Sequence, residues 1–379
     1  MNSPLKLIGK PDPSVRAQIE KAYNQLFFGD AEKERICFNH QALKYIVDIG
    51  HSDVRSEGMS YGMYISARLG QEEDFDALWN FTKKYLRNDT GDYAPYFAWQ
   101  VGLPDSSHES FYKMDRGAAP DGEEYIAAAL LIAAKNFNKP EYKEEAVALL
   151  KQMLYKDTQG KVRSMFDRER ALVRFSPMEG NDYTDPSYHT LAFYRLYAEA
   201  TGDAFWERVY KESLAYLKKA VHPLTGLTSD YSEYDGTPKH TDFFPTSECF
   251  SGDAWRVALN LALDYNWEIP GVCEDVREDA KHFEREAIRR LLKFFTANQP
   301  YLADYAVDGS DFPKEARSQT TGLIAMNAAA TSALDLSNAN DIALAKPFLF
   351  TLWNTPVPTG TWRYYDGLLY LLGYLALVD

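Results

Sequence analysis

Ala127-Ala128-Ala129-Leu130-Leu131-Ile132-Ala133-Ala134 is apolar on every side, and Tyr142 to Leu154, which follows, carries Lys and Glu along one face only. A helix without a polar face must be enclosed, whereas a helix with one must border water. An enclosed helix followed by an amphipathic one is what an inner and an outer layer require. The same alternation recurs along the chain, and convincing alternating strands are nearly absent. Helices are expected at about 14–28, 58–70, 72–87, 122–136, 140–155, 186–200, 203–220, 252–265, 275–297, 320–335, 340–353 and 362–378. Twelve helices paired in this way imply an all-α double ring, six inside six.

The chain has 379 residues, with no linker, low-complexity tract or charge block to divide it, and is read as one domain over 1–379. Its 25% charged and 45% hydrophobic residues are those of a globular protein. A net charge of −14 argues against nucleic acid and anionic membranes as partners. No apolar run approaches the roughly 18 residues of a membrane span. Met1-Asn2-Ser3-Pro4-Leu5-Lys6 lacks a basic-then-apolar leader, so a cytoplasmic location is expected. Cys37, Cys249 and Cys273 are widely spaced and odd in number, which fits reduced thiols better than disulfides.

The loops at 29–57, 88–121, 156–185, 221–251 and 298–319 are rich in Asp, Gly, Pro, Tyr and His. Three lead into an acidic residue at a helix start: Glu57 in Arg55-Ser56-Glu57-Gly58-Met59-Ser60-Tyr61, Asp121 in Pro120-Asp121-Gly122-Glu123-Glu124-Tyr125, and Asp253 in Asp253-Ala254-Trp255-Arg256. A carboxylate at a helix start is also explained by the macrodipole, and Asp121 with Glu124 nearly matches a capping box. Capping does not explain why Arg55 and Arg256 stand beside these acids, or why Tyr61 and Trp255 follow closely. Arg can hold a carboxylate or a sugar hydroxyl by paired hydrogen bonds. Aromatics make up 14% of the chain, with 26 Tyr and 7 Trp; most must be core, but such rings also stack on sugars. The combination points to acid/base hydrolysis of a carbohydrate.

Other chemistries are poorly served. Gly58-Met59-Ser60-Tyr61-Gly62 matches G-x-S-x-G, but the preceding Asp53-Val54-Arg55-Ser56-Glu57 is too polar for the apolar strand that a nucleophile elbow needs. Small residues there are better read as permitting close helix packing behind Glu57. The seven His show no metal-ligand spacing, and there is no phosphate-cradling Gly-rich loop. Asn80-Phe81-Thr82 and Asn88-Asp89-Thr90 are read as helix surface and turn rather than glycosylation sites.

These residues resemble a known family. The Arg55–Gly62, Pro120–Tyr125 and Asp253–Val257 blocks, with Thr184-Asp185-Pro186-Ser187-Tyr188-His189 and Arg363-Tyr364-Tyr365-Asp366, look like the signature blocks of glycoside hydrolase family 8, in its order and over nearly the whole chain. His51 to Met63, Phe350 to Thr359 and Thr361 to Tyr370 look most like its reducing-end xylose-releasing exo-oligoxylanases. The resemblance implies an (α/α)6 toroid of six inner and six outer helices. It implies Glu57 as general acid, Asp253 as general base, Tyr188 as holder of the attacking water and Asp121 as the residue favouring a distorted sugar. Arg55, Trp99, Arg256, Tyr364 and Tyr365 match substrate-cleft positions. It implies hydrolysis of β-1,4-xylosidic bonds with inversion, xylo-oligosaccharides as substrate and no cofactor.

One departure bears on the mode of cleavage. Exo-acting members close the cleft with a Leu-His-Pro segment, where this chain has Ser318-Gln319-Thr320. Gln319 stands at the His position and could still bond a terminal sugar's hydroxyl, so release of one xylose from the reducing end is expected, with an open-cleft endo-xylanase as the alternative. Two further classes compete: a sugar epimerase using His189, and a non-catalytic sugar-binding module that would not need both Glu57 and Asp253.

Overall fold

The structure, a computed structural model, describes residues 3–378, so Met1 and Asn2 of the expected leaderless terminus and Asp379 lie outside it. Among the described residues there are twelve α-helices: α1 (Asp12–Phe28), α2 (Ser56–Arg68), α3 (Glu72–Phe81), α4 (Pro120–Asn136), α5 (Pro140–Tyr155), α6 (Leu191–Thr201), α7 (Phe205–Ala220), α8 (Trp255–Asn266), α9 (Glu274–Ala297), α10 (Thr321–Ala330), α11 (Ala339–Asn354) and α12 (Arg363–Ala376). Each lies where helical periodicity places one. No described helix is long and apolar enough to cross a membrane.

The even-numbered helices are enclosed and the odd-numbered ones border water. α10 is buried continuously from Gly322 to Ala330, whereas α9 buries a stripe through Ala280, Ala287, Ile288, Leu291, Leu292 and Phe295. α2 packs on α4, α4 on α6, α6 on α8, α8 on α10, α10 on α12, and α12 returns to α2. Each of these also packs against one odd-numbered neighbour, from α2 with α3 round to α12 with α1. The approach is close where residues are small: a Cβ added at Gly373 of α12 would lie 2.8 Å from the Ala325 carbonyl oxygen of α10. Fully buried ion pairs pin the far side, with Asp264 of α8 held by Arg195 of α6 at 2.8 Å and by Arg277 of α9 at 2.9 Å. Losing one partner of such a pair leaves an uncompensated charge in the interior, at a cost of about 3–5 kcal/mol.

The near-absence of strands holds only in part. Short antiparallel strands line the loops: β1 (Cys37–His40) with β2 (Leu43–Ile46), β3 (Asp53–Arg55) with β4 (Gln100–Gly102) and β5 (Tyr112–Asp115), and β6 (Phe166–Asp167) with β7 (Leu172–Val173). They are too short and too polar to show a period of two. Several helix limits also differ from expectation, the tenth helix stopping at Ala330 before a 3₁₀ turn over Thr331–Ala333. The third gives way to a π-turn over Thr82–Leu86, where Thr82 Oγ1 bonds the Leu78 carbonyl. The sixth starts at Leu191, because Asp185 caps a separate 3₁₀ turn over Pro186–Tyr188 through the Ser187 N–H. The eighth starts at Trp255, leaving Asp253 in the turn before it. Cys37 and Cys249 are buried free thiols, and Cys273 is exposed and free.

Candidate active site

β3 runs directly into α2, so a strand does precede Ser60 after all, as a three-residue member of an antiparallel sheet. It still does not make a nucleophile elbow, because Ser60 is fully buried and its hydroxyl donates to the Glu57 carbonyl at 2.7 Å. What the strand does is aim its neighbours. Arg55 pairs with Gln100, and the Ser56 N–H donates to the Trp99 carbonyl at 3.0 Å, setting Trp99 beside the head of α2. The Arg55 guanidinium lies 5.7 Å from the Trp99 ring centre and is held by Asp48 and Asp53. Buried Glu123 of α4 fixes the same loop by accepting the Phe97 N–H at 2.9 Å.

Arg256, on the first turn of α8, gathers the carboxyl groups. Its Nη1 donates to Asp121 Oδ2 at 2.7 Å, to the Tyr61 hydroxyl at 2.6 Å and to Glu57 Oε2 at 3.3 Å, and its Nη2 to Asp253 Oδ1 at 2.9 Å. Asp185 Oδ2 stands 3.8 Å from Nη2, and the guanidinium also overlies the Tyr188 ring at 5.8 Å. One cation cannot neutralise four buried or half-buried acids, so some must hold protons. Burial, opposed by Arg256 and reinforced by Asp121 and Asp253, pushes Glu57 up to about 7. Burial likewise raises Asp121, and raises Asp185 well above the carboxylate range. Glu57 keeps 19% of its side chain exposed and Asp253 31%, against 7% for Asp121, so the first two are the carboxyls open to an incoming ligand.

Asp121 is not the N-cap of its helix, although its Oδ1 accepts the first-turn Gly122 N–H at 2.9 Å. Pro120 already fills the first turn of α4, the N-cap is Ala119 with no side-chain bond, and Glu124 is engaged by Thr190 and Tyr194. The capping reading is therefore replaced by the ion pair with Arg256. Tyr364, at the head of α12, donates its hydroxyl to Glu57 Oε1 at 3.0 Å, and Tyr365 donates to the Gly252 carbonyl at 2.9 Å, one residue before Asp253. Gly58 makes room for this: a Cβ there would sit 2.4 Å from the Tyr364 ring. The small residues behind Glu57 thus serve close packing, as the sequence suggested.

Asp253 borders three cavities. One of about 230 Å³ includes Glu57, Tyr364, Tyr365, His51 and Trp362. Another, of about 560 Å³, includes Arg55, Trp99, Tyr188, Phe175 and Phe243. The third, of about 370 Å³, includes Asp230, Asp304, Phe312 and Arg317. A larger hollow of about 670 Å³ beside Arg68 and Trp267 contains none of the candidate residues. Trp362 and Phe243 are 69% and 67% exposed, apolar rims of the kind that meet sugar faces. Reading the sequence missed both, along with Arg317 and Asp230; exposed aromatics in loops carry no periodic signal.

Nine of the ten candidates, Glu57, Asp253, Tyr188, Asp121, Arg55, Trp99, Arg256, Tyr364 and Tyr365, are brought together here. Gln319 is the exception. It lines none of these three cavities, and Arg317, two residues earlier, lines one instead. His189 is fully buried between Thr184 and Ser213, and burial lowers it to about 3, so it is a neutral packing residue and no acid/base pair for epimerisation. No group of acidic, His and Cys side chains among the described residues could hold a metal ion.

The model of the glycosyl hydrolases family 8 matches residues 48–378. The reducing-end xylose-releasing exo-oligoxylanase Rex8A of Paenibacillus barcinonensis is 35% identical, over 97% of this chain and 93% of that protein. A second reducing end xylose-releasing exo-oligoxylanase, from Halalkalibacterium halodurans, is 35% identical over 98% of this chain and 91% of its own. Among solved structures, a GH8 xylobiose complex from Teredinibacter turnerae superposes with a TM-score of 0.87 at 33% identity, covering 99% of this chain and 96% of that one.

Proposed function

The chain belongs to glycosyl hydrolase family 8, and we propose that it hydrolyses β-1,4-xylosidic bonds of xylo-oligosaccharides with inversion, releasing xylose from the reducing end. The closed circuit of even-numbered helices, each backed by an odd-numbered one, supports reading the fold as a single-domain (α/α)6 toroid. One observation carries the catalytic assignment: Glu57, pushed up to about 7, borders the same cavity as Asp253. A carboxyl titrating near neutrality can give its proton to a leaving glycosidic oxygen, and a second carboxylate across the cleft can take one from water.

In this reading Glu57 protonates the departing oxygen, and its bonds from Tyr364 and Arg256 set the orientation of its carboxyl. Asp253 removes a proton from the water attacking the opposite face, and Tyr188 steadies that water from the neighbouring wall. Asp121, tied to Arg256, accepts from a sugar hydroxyl as the ring flattens. Trp99, Arg55, Tyr365 and Arg256 frame the sugar chain.

Gln319's absence from the lining of these cavities favours a second reading, an endo-xylanase with an open cleft. Reducing-end-labelled xylohexaose separates the two. Labelled xylose should appear first, with labelled xylobiose or xylotriose minor; dominance of the longer labelled fragments from the earliest time points would establish endo action. Proton NMR of fresh product should show the α-anomer at the new reducing end, and initial β-anomer would overturn inversion.

A further inference from the structure

The turn that carries Asp253 is held from two sides. On one, the Tyr365 hydroxyl bonds the Gly252 carbonyl. On the other stands Asp230, a fully buried carboxyl whose Oδ1 accepts the Ala254 N–H at 2.8 Å. Asp230 itself is anchored by backbone bonds, its N–H to the Cys249 carbonyl at 2.9 Å and the Tyr231 N–H to the Ser247 carbonyl at 2.8 Å. Its second oxygen, Oδ2, is buried and has no hydrogen-bond partner, yet the residue borders the same cavity as Asp253. Among the described residues no ion pair joins it to a cation: Arg256 is engaged by Glu57, Asp121, Asp253 and Asp185, and Arg317, which lines the same cavity, by Asp304.

We propose that Asp230 is a positioning residue for the general base, holding the Asp253–Ala254 turn as a neutral carboxylic acid with Oδ1 as acceptor and an Oδ2 hydroxyl as donor. A carboxylate in this place would be an unpaired buried charge beside Asp253 and Asp185, and burial of an unpaired ion costs several kcal/mol. Burial first, and then the charge of Asp253, raise Asp230 well above the carboxylate range, with Asp185 adding to this and Arg256 opposing. As a neutral acid it adds no negative charge behind the base.

This inference depends on the base assignment under the proposed function, and the test keeps them apart. Wild type, Asp253→Asn, Asp230→Asn and Asp230→Ala are assayed on xylotriose. Asp230→Asn keeps an acceptor for the Ala254 N–H and puts an amide donor where the hydroxyl stood, so kcat should stay within about 3-fold of wild type. Asp230→Ala should lose about 10–100-fold in kcat with KM nearly unchanged, since the bound state is intact but the base is misaligned. If Asp230→Asn falls as far as Asp230→Ala, the group acts as an anion and the proposal is overturned. It is equally overturned if Asp230→Ala keeps more than half the wild-type kcat, or changes KM alone. Should Asp230→Ala fail to fold, the Asp230→Asn rate decides. An active Asp253→Asn would instead sink the base assignment itself.

Discussion

The Tyr364 hydroxyl donates to Glu57 Oε1 at 3.0 Å, joining the head of α12 to the head of α2 across 307 positions of sequence. Each Glu57 oxygen then has its own partner, Oε1 this hydroxyl and Oε2 Arg256 Nη1 at 3.3 Å, and the two bonds set the orientation of the carboxyl. Removing the hydroxyl with Tyr364→Phe should let the carboxyl rotate and lower kcat on xylotriose about 10-fold or more, with little change in thermal midpoint. Gly58→Ala attacks the same contact sterically, since its Cβ would meet the ring at 2.4 Å. We expect Gly58→Ala to lose both activity and about 1–3 kcal/mol of stability, the usual cost of overpacking, read by urea unfolding. A fully active Tyr364→Phe would show that the bond does not orient the acid.

Glu57 is also expected to govern the pH response. As general acid it must be protonated, so kcat should fall as pH rises through about 7, and Glu57→Gln should abolish turnover by at least ~10²–10⁴. The linked stability effect has a definite sign. The folded value of about 7 lies above the ordinary 4.5. Below the lower value the group is protonated in both states and contributes no pH dependence. Between them the unfolded chain releases its proton first, so the folded state becomes relatively less stable as pH rises, by at most about 3 kcal/mol. Thermal midpoints from pH 4 to 8 should therefore decline more in wild type than in Glu57→Gln. Parallel curves would show that Glu57 is not held protonated.

Much of this was legible in sequence because the fold speaks in helices. Runs such as Ala127–Ala134 are long enough to show that no face is polar, and each of the twelve expected helices forms. What escaped notice sits where periodicity fails. β3 is three residues long, too short for a period of two, yet it decides where Arg55 and Trp99 point. Tyr188 and Asp253 were placed inside helices and lie instead in the turns before them, because Asp185 and Asp230 bond the Ser187 and Ala254 N–H groups and stop the helices early. Gln319 carries no local pattern of its own, and it lines none of the cavities at Asp253.

Asp121 separates catalysis from capping by experiment as well as by geometry. An Asn oxygen can still accept the Gly122 N–H that Asp121 Oδ1 now takes at 2.9 Å, so Asp121→Asn should cost no first-turn bond while reducing kcat about 10²-fold, more than it raises KM. The amide keeps the shape but weakens the bond to Arg256 Nη1, now 2.7 Å, and to any sugar hydroxyl that strengthens as the ring distorts. A loss of stability with unchanged kcat would return Asp121 to a structural role.

Gln319 and Arg317 make opposite expectations two residues apart. Gln319 lines none of the cavities that Asp253 borders, so Gln319→Ala should leave kcat/KM on xylotriose within about 3-fold and the product pattern unchanged. Arg317 lines the cavity shared with Asp253, stacks 4.8 Å from the Trp255 ring centre, and donates Nε to Asp304 Oδ2 at 2.9 Å and Nη2 to Ser251 Oγ at 2.8 Å. Asp304 is only 2% exposed, so losing its cation strands a charge that the interior tolerates poorly. Arg317→Ala should therefore destabilise the protein by about 3 kcal/mol or more, loosen the Phe312–Arg317 wall and raise KM for xylotriose several-fold. Both variants can be read on reducing-end-labelled xylotriose with unfolding curves alongside. If Gln319→Ala shifts the labelled products while Arg317→Ala does not, the terminal sugar is gripped by Gln319, and its side chain must turn into the cleft when substrate binds.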